Sequence, residues 1–457
     1  MTRRRPSLGA LRRRLGSGAG EQLWAVTLEI ATMAGTILAF LLLGRSLGTD
    51  GYGAYASLYA IISPLVTLSS SGVVLALLQH AVALKEPLGR TARSSLSVVL
   101  LFGGILSLGA GAVAIAVVDD LSVLAIGSIV LIELVTTPLV LVGATTVQAG
   151  TSFEGAAKIR LLLVGGRAVL LIALFAVDAL TVTNLGVAQL TWSLVLGAVT
   201  LVQVGRRYGF SLTPGPLQGA LVRTNLVFSA AVSADAVGND GDKVVLAANR
   251  YVTDTGLYAA AYRMIQLGMV PLGALANTSH VKFLEPMRRR RQHLDLALRY
   301  SAVAAAYGLV FAVGILVAAP LLPFLVGRDF EESVEIVRWL SPIVLLRGLG
   351  MYSLNALLGL KRTGIRTLIV VGNAAFGVVL FLLLIPGRGW EGAMIATLIT
   401  EALQVVMTWS ALVVCQRIAD RDFDDSAVLD AEADGPDEPA EAAEQVGEAV
   451  APPPPAP

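Results

Sequence analysis

Twelve apolar runs, each about as long as a membrane-spanning helix, constrain this chain more than any other feature of its sequence. They fall at about 22–44, 53–83, 94–118, 121–148, 158–177 and 183–204. A second set falls at about 225–248, 255–281, 295–319, 333–360, 364–385 and 390–416. A helix rises about 1.5 Å per residue, so about 20 apolar residues cross a hydrocarbon core roughly 30 Å thick. Only helices and closed barrels satisfy every backbone group in lipid, and barrel strands would be short and alternating. The expected fold is all-α and integral to the membrane. Composition agrees: 15% of the residues are charged, against roughly 25% in a soluble domain.

Lysine and arginine set the orientation. With the N-terminus inside, 25 of the 34 fall on the cytoplasmic side, from Arg3–Arg5 through Arg288–Arg291 to Arg421. Five fall opposite, and Arg167, Lys243, Arg263 and Arg347 fall within spans. The split predicts both termini in the cytoplasm, in a bacterial inner membrane. The apolar stretch after the basic arm (1–21) has no short core with a cleavage site, so it reads as a retained first span. From Asp420 onward the chain holds 12 of its 33 acidic residues and then ends PPPPAP. Residues 418–457 therefore read as an acidic, disordered tail. The lone Cys415 excludes an internal disulfide, and His80, His280 and His293 are too scattered for a zinc site. No metal, cofactor or nucleic-acid partner is expected, and membrane lipid is.

The two halves repeat. Arg45, Thr49-Asp50 and Gly53-x-Tyr55-Ala56 recur as Arg250, Thr253-Asp254 and Gly256-x-Tyr258-Ala259. Pro64 and Pro138 recur as Pro271 and Pro342. Six spans per half is even, so the repeats share one orientation and relate by an axis along the membrane normal. The expected units are six-helix bundles at 22–204 and 225–417, joined by a cytoplasmic linker at 205–224. Two such bundles can rock about a shared central cavity and give alternating access.

The segment Gly44-Arg45-x-Leu47-Gly48-x-x-Gly51-Tyr52-Gly53-x-Tyr55 resembles the first-loop signature of polysaccharide flippases. These belong to the multidrug/oligosaccharidyl-lipid/polysaccharide (MOP) exporter superfamily, whose drug-exporting branch is the MATE family. Gly72, Asn239-x-x-Asp242-Lys243, Gly256-x-Tyr258-Ala259 and Arg263 resemble later family positions, with Ala247 where a glycine is frequent. The resemblance covers about residues 20–417. It implies Arg45, Gly48, Gly51, Tyr52, Gly53, Tyr55, Gly256 and Tyr258 as structural motif positions. It also implies export of an undecaprenyl-diphosphate oligosaccharide for cell-surface polysaccharide, with glycan-assembly proteins as partners.

A charge buried in lipid costs about 2.5–3.5 kcal/mol on insertion scales, so such residues face the protein interior. Asp235, Asn239, Asp242 and Lys243 share one helical face. Asn239 and Lys243 are substrate candidates, and Asp235 and Asp242 are coupling-cation candidates; a structural Asp–Lys network is the alternative. Arg347, with Asn355 on its face, is the leading diphosphate candidate, and Arg263, with Gln266, is the next. Glu29 (with Thr32, Met33 and Thr36), Glu133 (with Thr136 and Thr137) and Glu401 (with Thr397, Gln404 and Thr408) are candidates for Na+ or H+ coupling, or for pairing an arginine. A drug or metabolite antiporter of the same superfamily is the competing reading. A multi-span glycan polymerase or ligase is the enzymatic one, but the longest outer connection, about 321–332, holds only Arg328.

Overall fold

The computed structural model describes residues 8–151, 153–211, 213–284 and 291–433. Among them, nine helices are long and apolar enough to cross a membrane, ten when the bent helix Gly219–Ala248 is included. The first of these, Gly20–Ala83, is far too long for one crossing. A straight helix over Leu8–Val66 would reach about 88 Å. Instead Gly48 breaks it at φ 65°, ψ −171°, a left-handed conformation that glycine adopts without a Cβ penalty. Phe40 and Tyr52 then lie 5.8 Å apart, centroid to centroid, where twelve residues of straight helix would separate them by about 18 Å. The chain therefore reverses at Gly48 and makes two crossings.

With that division, the spans are α1 (8–47), α2 (49–83), α3 (Leu88–Val117), α4 (Val123–Gly150), α5 (Phe153–Ala176) and α6 (Val182–Tyr208). The second half supplies α7 (Gly219–Ala248), α8 (Val252–Leu284), a 33-residue helix that is not among the ten counted above, and α9 (Gln292–Ala318). It ends with α10 (Ser333–Gly359), α11 (Thr363–Arg388) and α12 (Trp390–Ala433). The fold is all-α and membrane-spanning. The last helix continues to Ala433, past the position where the acidic tail begins in sequence. Residues 1–7 of the basic arm and 434–457 of the tail lie outside the described residues.

Three of the four repeat prolines mark irregular turns, because each removes a backbone donor and crowds the preceding turn; Pro271, expected to interrupt its span, lies inside the continuous helix α8. Pro64 precedes a wide π-type turn at Thr67–Ser71, Pro138 follows one at Ile132–Thr136, and Pro342 sits where α10 breaks. In α2 the freed Pro64 carbonyl accepts from Ser233 Oγ of α7 at 2.9 Å. Asn225 and Ser229, also on α7, bond the α2 carbonyls of Leu68 and Thr67 at 3.0 and 2.9 Å. The first half of α7 is thus fastened to α2, and Leu221 packs among Val73, Ala76 and Leu96. The helix bends by 57° around residue 235, and Leu246 on its far half packs in the cluster with Tyr258 and Tyr352.

On the face opposite the basic loops, α2 and α8 cross at a glycine pair. A Cβ on Gly53 would strike the Val252 carbonyl oxygen, and one on Gly256 would strike the Thr49 carbonyl oxygen. The contact is reciprocal at an offset of 203 residues, so the duplicated motif forms its own pseudo-twofold junction. Thr253 Oγ1 donates to Asp50 Oδ1 across it at 2.6 Å. Arg45 donates to the Leu325 and Phe324 carbonyls at 2.7 and 3.2 Å, tying the α1–α2 turn to the segment before α10.

Candidate functional site

Polar residues in the spans gather around several connected cavities. An N-terminal cavity of about 280 Å3 lies among α1, α2, α4, α5 and α8, with Tyr52, Tyr55, Tyr59, Glu133, Arg167 and Arg263 in its wall. A second, of about 220 Å3, separates α1 from α8. Glu29, Thr32, Met33 and Thr36, which the sequence places on one face, all line it. A third, of about 230 Å3, sits between the halves and holds Asp240, Lys243, Tyr262 and Arg263. The fourth, of about 280 Å3, is enclosed by α7, α8, α10, α11 and α12.

The buried charges are largely paired. Arg167 Nη1 meets Glu133 Oε1 at 3.0 Å and its Nη2 reaches Thr137 Oγ1 at 2.5 Å. Arg347 meets Glu401 through Nε at 2.7 Å and Nη2 at 2.6 Å. A tyrosine completes each pair: Tyr59 donates to Glu133 at 3.2 Å, while Arg347 donates to the Tyr262 hydroxyl at 2.7 Å. Tyr59 and Tyr262 stand at the same 203-residue offset as the glycine pair, a recurrence visible in the sequence but not used there.

Lys243 is 6% exposed. Its Nζ meets Asp240 and Asp242 at 3.1 Å each and the Asn239 carbonyl at 2.7 Å, and it lies 4.2 Å from the Tyr262 ring centre. Asp242 also accepts from Thr397 at 3.5 Å. The single face read from the sequence is divided: Asn239 lines the fourth cavity, Lys243 the third, and Asp242 is buried between helices. The side chain of Asp235 lies outside the described residues. Of the other sequence pairings, Thr397 turns to Tyr258 and Thr408 to Ser353, while Gln404 remains beside Glu401.

Arg263 differs from these cations. It belongs to α8 of the second half but lines three cavities: the N-terminal one, the α1–α8 opening and the central one. Its Nη1 donates to Gln266 Oε1 at 2.9 Å, and no ion pair involves it among the described residues. Arg366, read from sequence as a cytoplasmic charge, lines the fourth cavity, and its Nε is buried without a partner among the described residues. Asn373 lines the same cavity and was not singled out by sequence, since a lone amide in an apolar run has no partner in sequence to mark it.

The remaining motif residues pack around the α2–α8 crossing and the helices beside it. Tyr52 packs against Phe330 at 6.0 Å and Tyr55 against Tyr59 at 4.7 Å. Tyr258 is fully buried, its hydroxyl 3.0 Å from Thr397 Oγ1. Gly51 packs on Leu47 beside the reversal.

The fold is that of MOP-superfamily transporters. An inward-facing multidrug-resistance MATE family transporter of that superfamily aligns with a TM-score of 0.65 at 14% identity, over 83% of this chain and 95% of the other. Its outward-facing counterpart aligns at 0.56 and 15% identity, over 87% and 97%. A MOP transporter from Pyrococcus furiosus, described as having a binding pocket of reversed polarity, aligns at 0.58 and 14%, also over 87% and 97%. No curated protein sequence matches. The family described as "Polysaccharide biosynthesis protein" matches residues 42–335, and the chain belongs to it.

Proposed function

We propose that this protein is a flippase that carries a lipid-linked glycan diphosphate from the inner to the outer leaflet of a bacterial cytoplasmic membrane. The carrying observation is Arg263, a cation that forms no direct ion pair among the described residues, shares the central cavity wall with Asp240, and stands where three cavities meet. A diphosphate needs charge-assisted donors, and a guanidinium supplies a fork of them. The α1–α8 opening has a wall that suits a lipid carrier, with Met33, Ile37, Leu267 and Val270 beside Thr32 and Gln266. The cargo's chain can stay in lipid there while its headgroup meets Arg263. Glu133, Glu401 and Asp242 are each held by arginine or lysine, which favours an anionic cargo over a cation-binding centre. The lobes are closed at Gly53 and Gly256 on the face poor in lysine and arginine, consistent with a state that loads from the cytoplasm under the positive-inside rule.

Mass spectrometry of lipid extracts tests this reading. Cells lacking the gene should accumulate one glycan-diphosphate-lipid and lose surface glycan, and Arg263→Ala should fail to restore either. An unchanged lipid pool with new sensitivity to cationic dyes would replace the flippase with a drug antiporter.

A further inference from the structure

The fourth cavity, in the C-terminal half, differs in kind from the junction around Arg263. Four carboxamides line it, Asn239, Asn355, Asn373 and Gln404, together with the Arg347–Glu401 pair, and no aromatic ring does. Two of these amides are buried with hydrogen-bonding capacity unused. Asn373 is 5% exposed; its Nδ2 donates to Gln404 Oε1 at 2.8 Å, and its Oδ1 has no partner among the described residues. Asn355 is 9% exposed and lines the cavity, and its carboxamide has no hydrogen bond to the side chains or backbone among the described residues.

Buried polar atoms are normally satisfied, so unspent capacity on side chains that line a cavity points to a ligand that satisfies it once the amide turns toward it. The atoms left over also select its chemistry. Arg366, whose Nε has no partner among the described residues, also lines the cavity; a diphosphate could take that donor, but it only accepts hydrogen bonds and would leave Asn373 Oδ1 unsatisfied. A sugar hydroxyl both donates and accepts, and a carboxamide offers the two complementary functions side by side. The volume, about 280 Å3, lies near the lower end of small-ligand pockets, roughly 300 Å3. It suits one ring rather than an oligosaccharide. The helix α7 borders both this cavity and the central one: Asn239 lines the first and Asp240 the second.

We infer that the C-terminal cavity is a glycan-selecting subsite, taking one hydroxyl-rich sugar ring of the cargo on Asn355, Asn373 and Gln404. This rests on the flippase reading, since the carrier lipid held near Arg263 is what delivers the sugar.

The test is binding to the full-length protein in nanodiscs. The probes are undecaprenyl diphosphate alone and the same lipid bearing a single glucose, galactose or N-acetylglucosamine. Wild type should prefer at least one sugar-bearing probe over the bare lipid by about tenfold, the scale of one or two net hydrogen bonds. Asn355→Ala and Asn373→Ala should bring that ratio below about twofold, whereas Arg263→Ala should weaken all four probes alike and leave the ratio standing. Asn373→Ser replaces the alanine variant if the latter does not elute as a single species. A wild-type protein indifferent to the sugar, or amide variants that keep the preference, would overturn the subsite while leaving the flippase in place. Failure of the wild type to bind even the bare lipid would remove both.

Discussion

Gly53→Ala should open the face that the α2–α8 crossing closes. The added methyl would strike the Val252 carbonyl oxygen and lie 2.9 Å from the Gly256 nitrogen and 3.1 Å from the Val252 carbonyl carbon. Comfortable separations of carbon from heavy atoms are about 3.5–4.0 Å. Every atom struck is backbone, so no rotamer change relieves the overlap and the helices must part. Overpacking of this kind costs about 1–3 kcal/mol, a factor of about 5 to 150 in the population of the closed face. Gly256→Ala should act alike, because it strikes Thr49 from the other side. The double variant should cost less than the sum, since the first methyl has already separated the pair. The assay is cross-linking between Asp50→Cys and Thr253→Cys, whose native side chains touch at 2.6 Å, with a short bifunctional thiol reagent. The only native cysteine, Cys415, is buried, so the background is low. Gly104→Ala on α3 is the control, with nothing within 4 Å of its new methyl. Cross-linking within twofold of wild type in both crossing variants would refute the claim that this glycine pair closes the face.

Lys243→Met should lower thermal stability in detergent by about 3–5 kcal/mol, because it leaves the buried Asp242 without its counter-charge. Adding Asp242→Asn should recover part of the loss, and an unchanged melting temperature in the single variant would contradict the network. A double-mutant cycle on Arg347→Met and Glu401→Gln should give a coupling of about 0.5–3 kcal/mol; additive losses would mean that the pair does not act as one unit. Arg250→Ala should change stability by less than about 1 kcal/mol, because its pair with Asp119 is exposed at 76% and 53%. A larger drop would show that this loop contact helps close the face.

The spans were legible because bilayer thickness is a stiff constraint that each apolar run meets alone. The duplication was legible at Gly53-x-Tyr55 and Gly256-x-Tyr258, whose contact the structure shows to be mutual. Partner choice was not legible. Arg347 reads from sequence as a mid-span cation seeking phosphate, yet the residue that meets it, Glu401, lies 54 positions on and two helices away. Nothing in either run states that α10 and α12 are neighbours. Arg366 was hidden differently: three residues into its span it counts as a cytoplasmic charge, although it lines a cavity. The Asp235–Lys243 face failed as a unit because cavities flank α7 on more than one side and the helix bends near residue 235.

The same comparison explains what the duplication has kept and what it has let diverge. At the α2–α8 crossing the halves match: each glycine abuts a backbone carbonyl of the opposite half, and Tyr59 and Tyr262 each contact the ion pair of their own half. Rocking two bundles requires matching surfaces at the crossing, so change on one side there must be answered on the other. The cavities carry no such obligation. The N-terminal one is aromatic and receives Arg263 from the opposite half, while the C-terminal one has four amides and no ring among its described lining residues. On the flippase reading proposed above, an asymmetric cargo, charged at one end and hydroxyl-rich at the other, would be met by two unlike walls that one symmetric closure can expose together. If the halves were exchanged by swapping α10–α12 for the equivalent first-half helices, the closure could survive but the amide wall would not. Sugar preference should then disappear before binding of the diphosphate does.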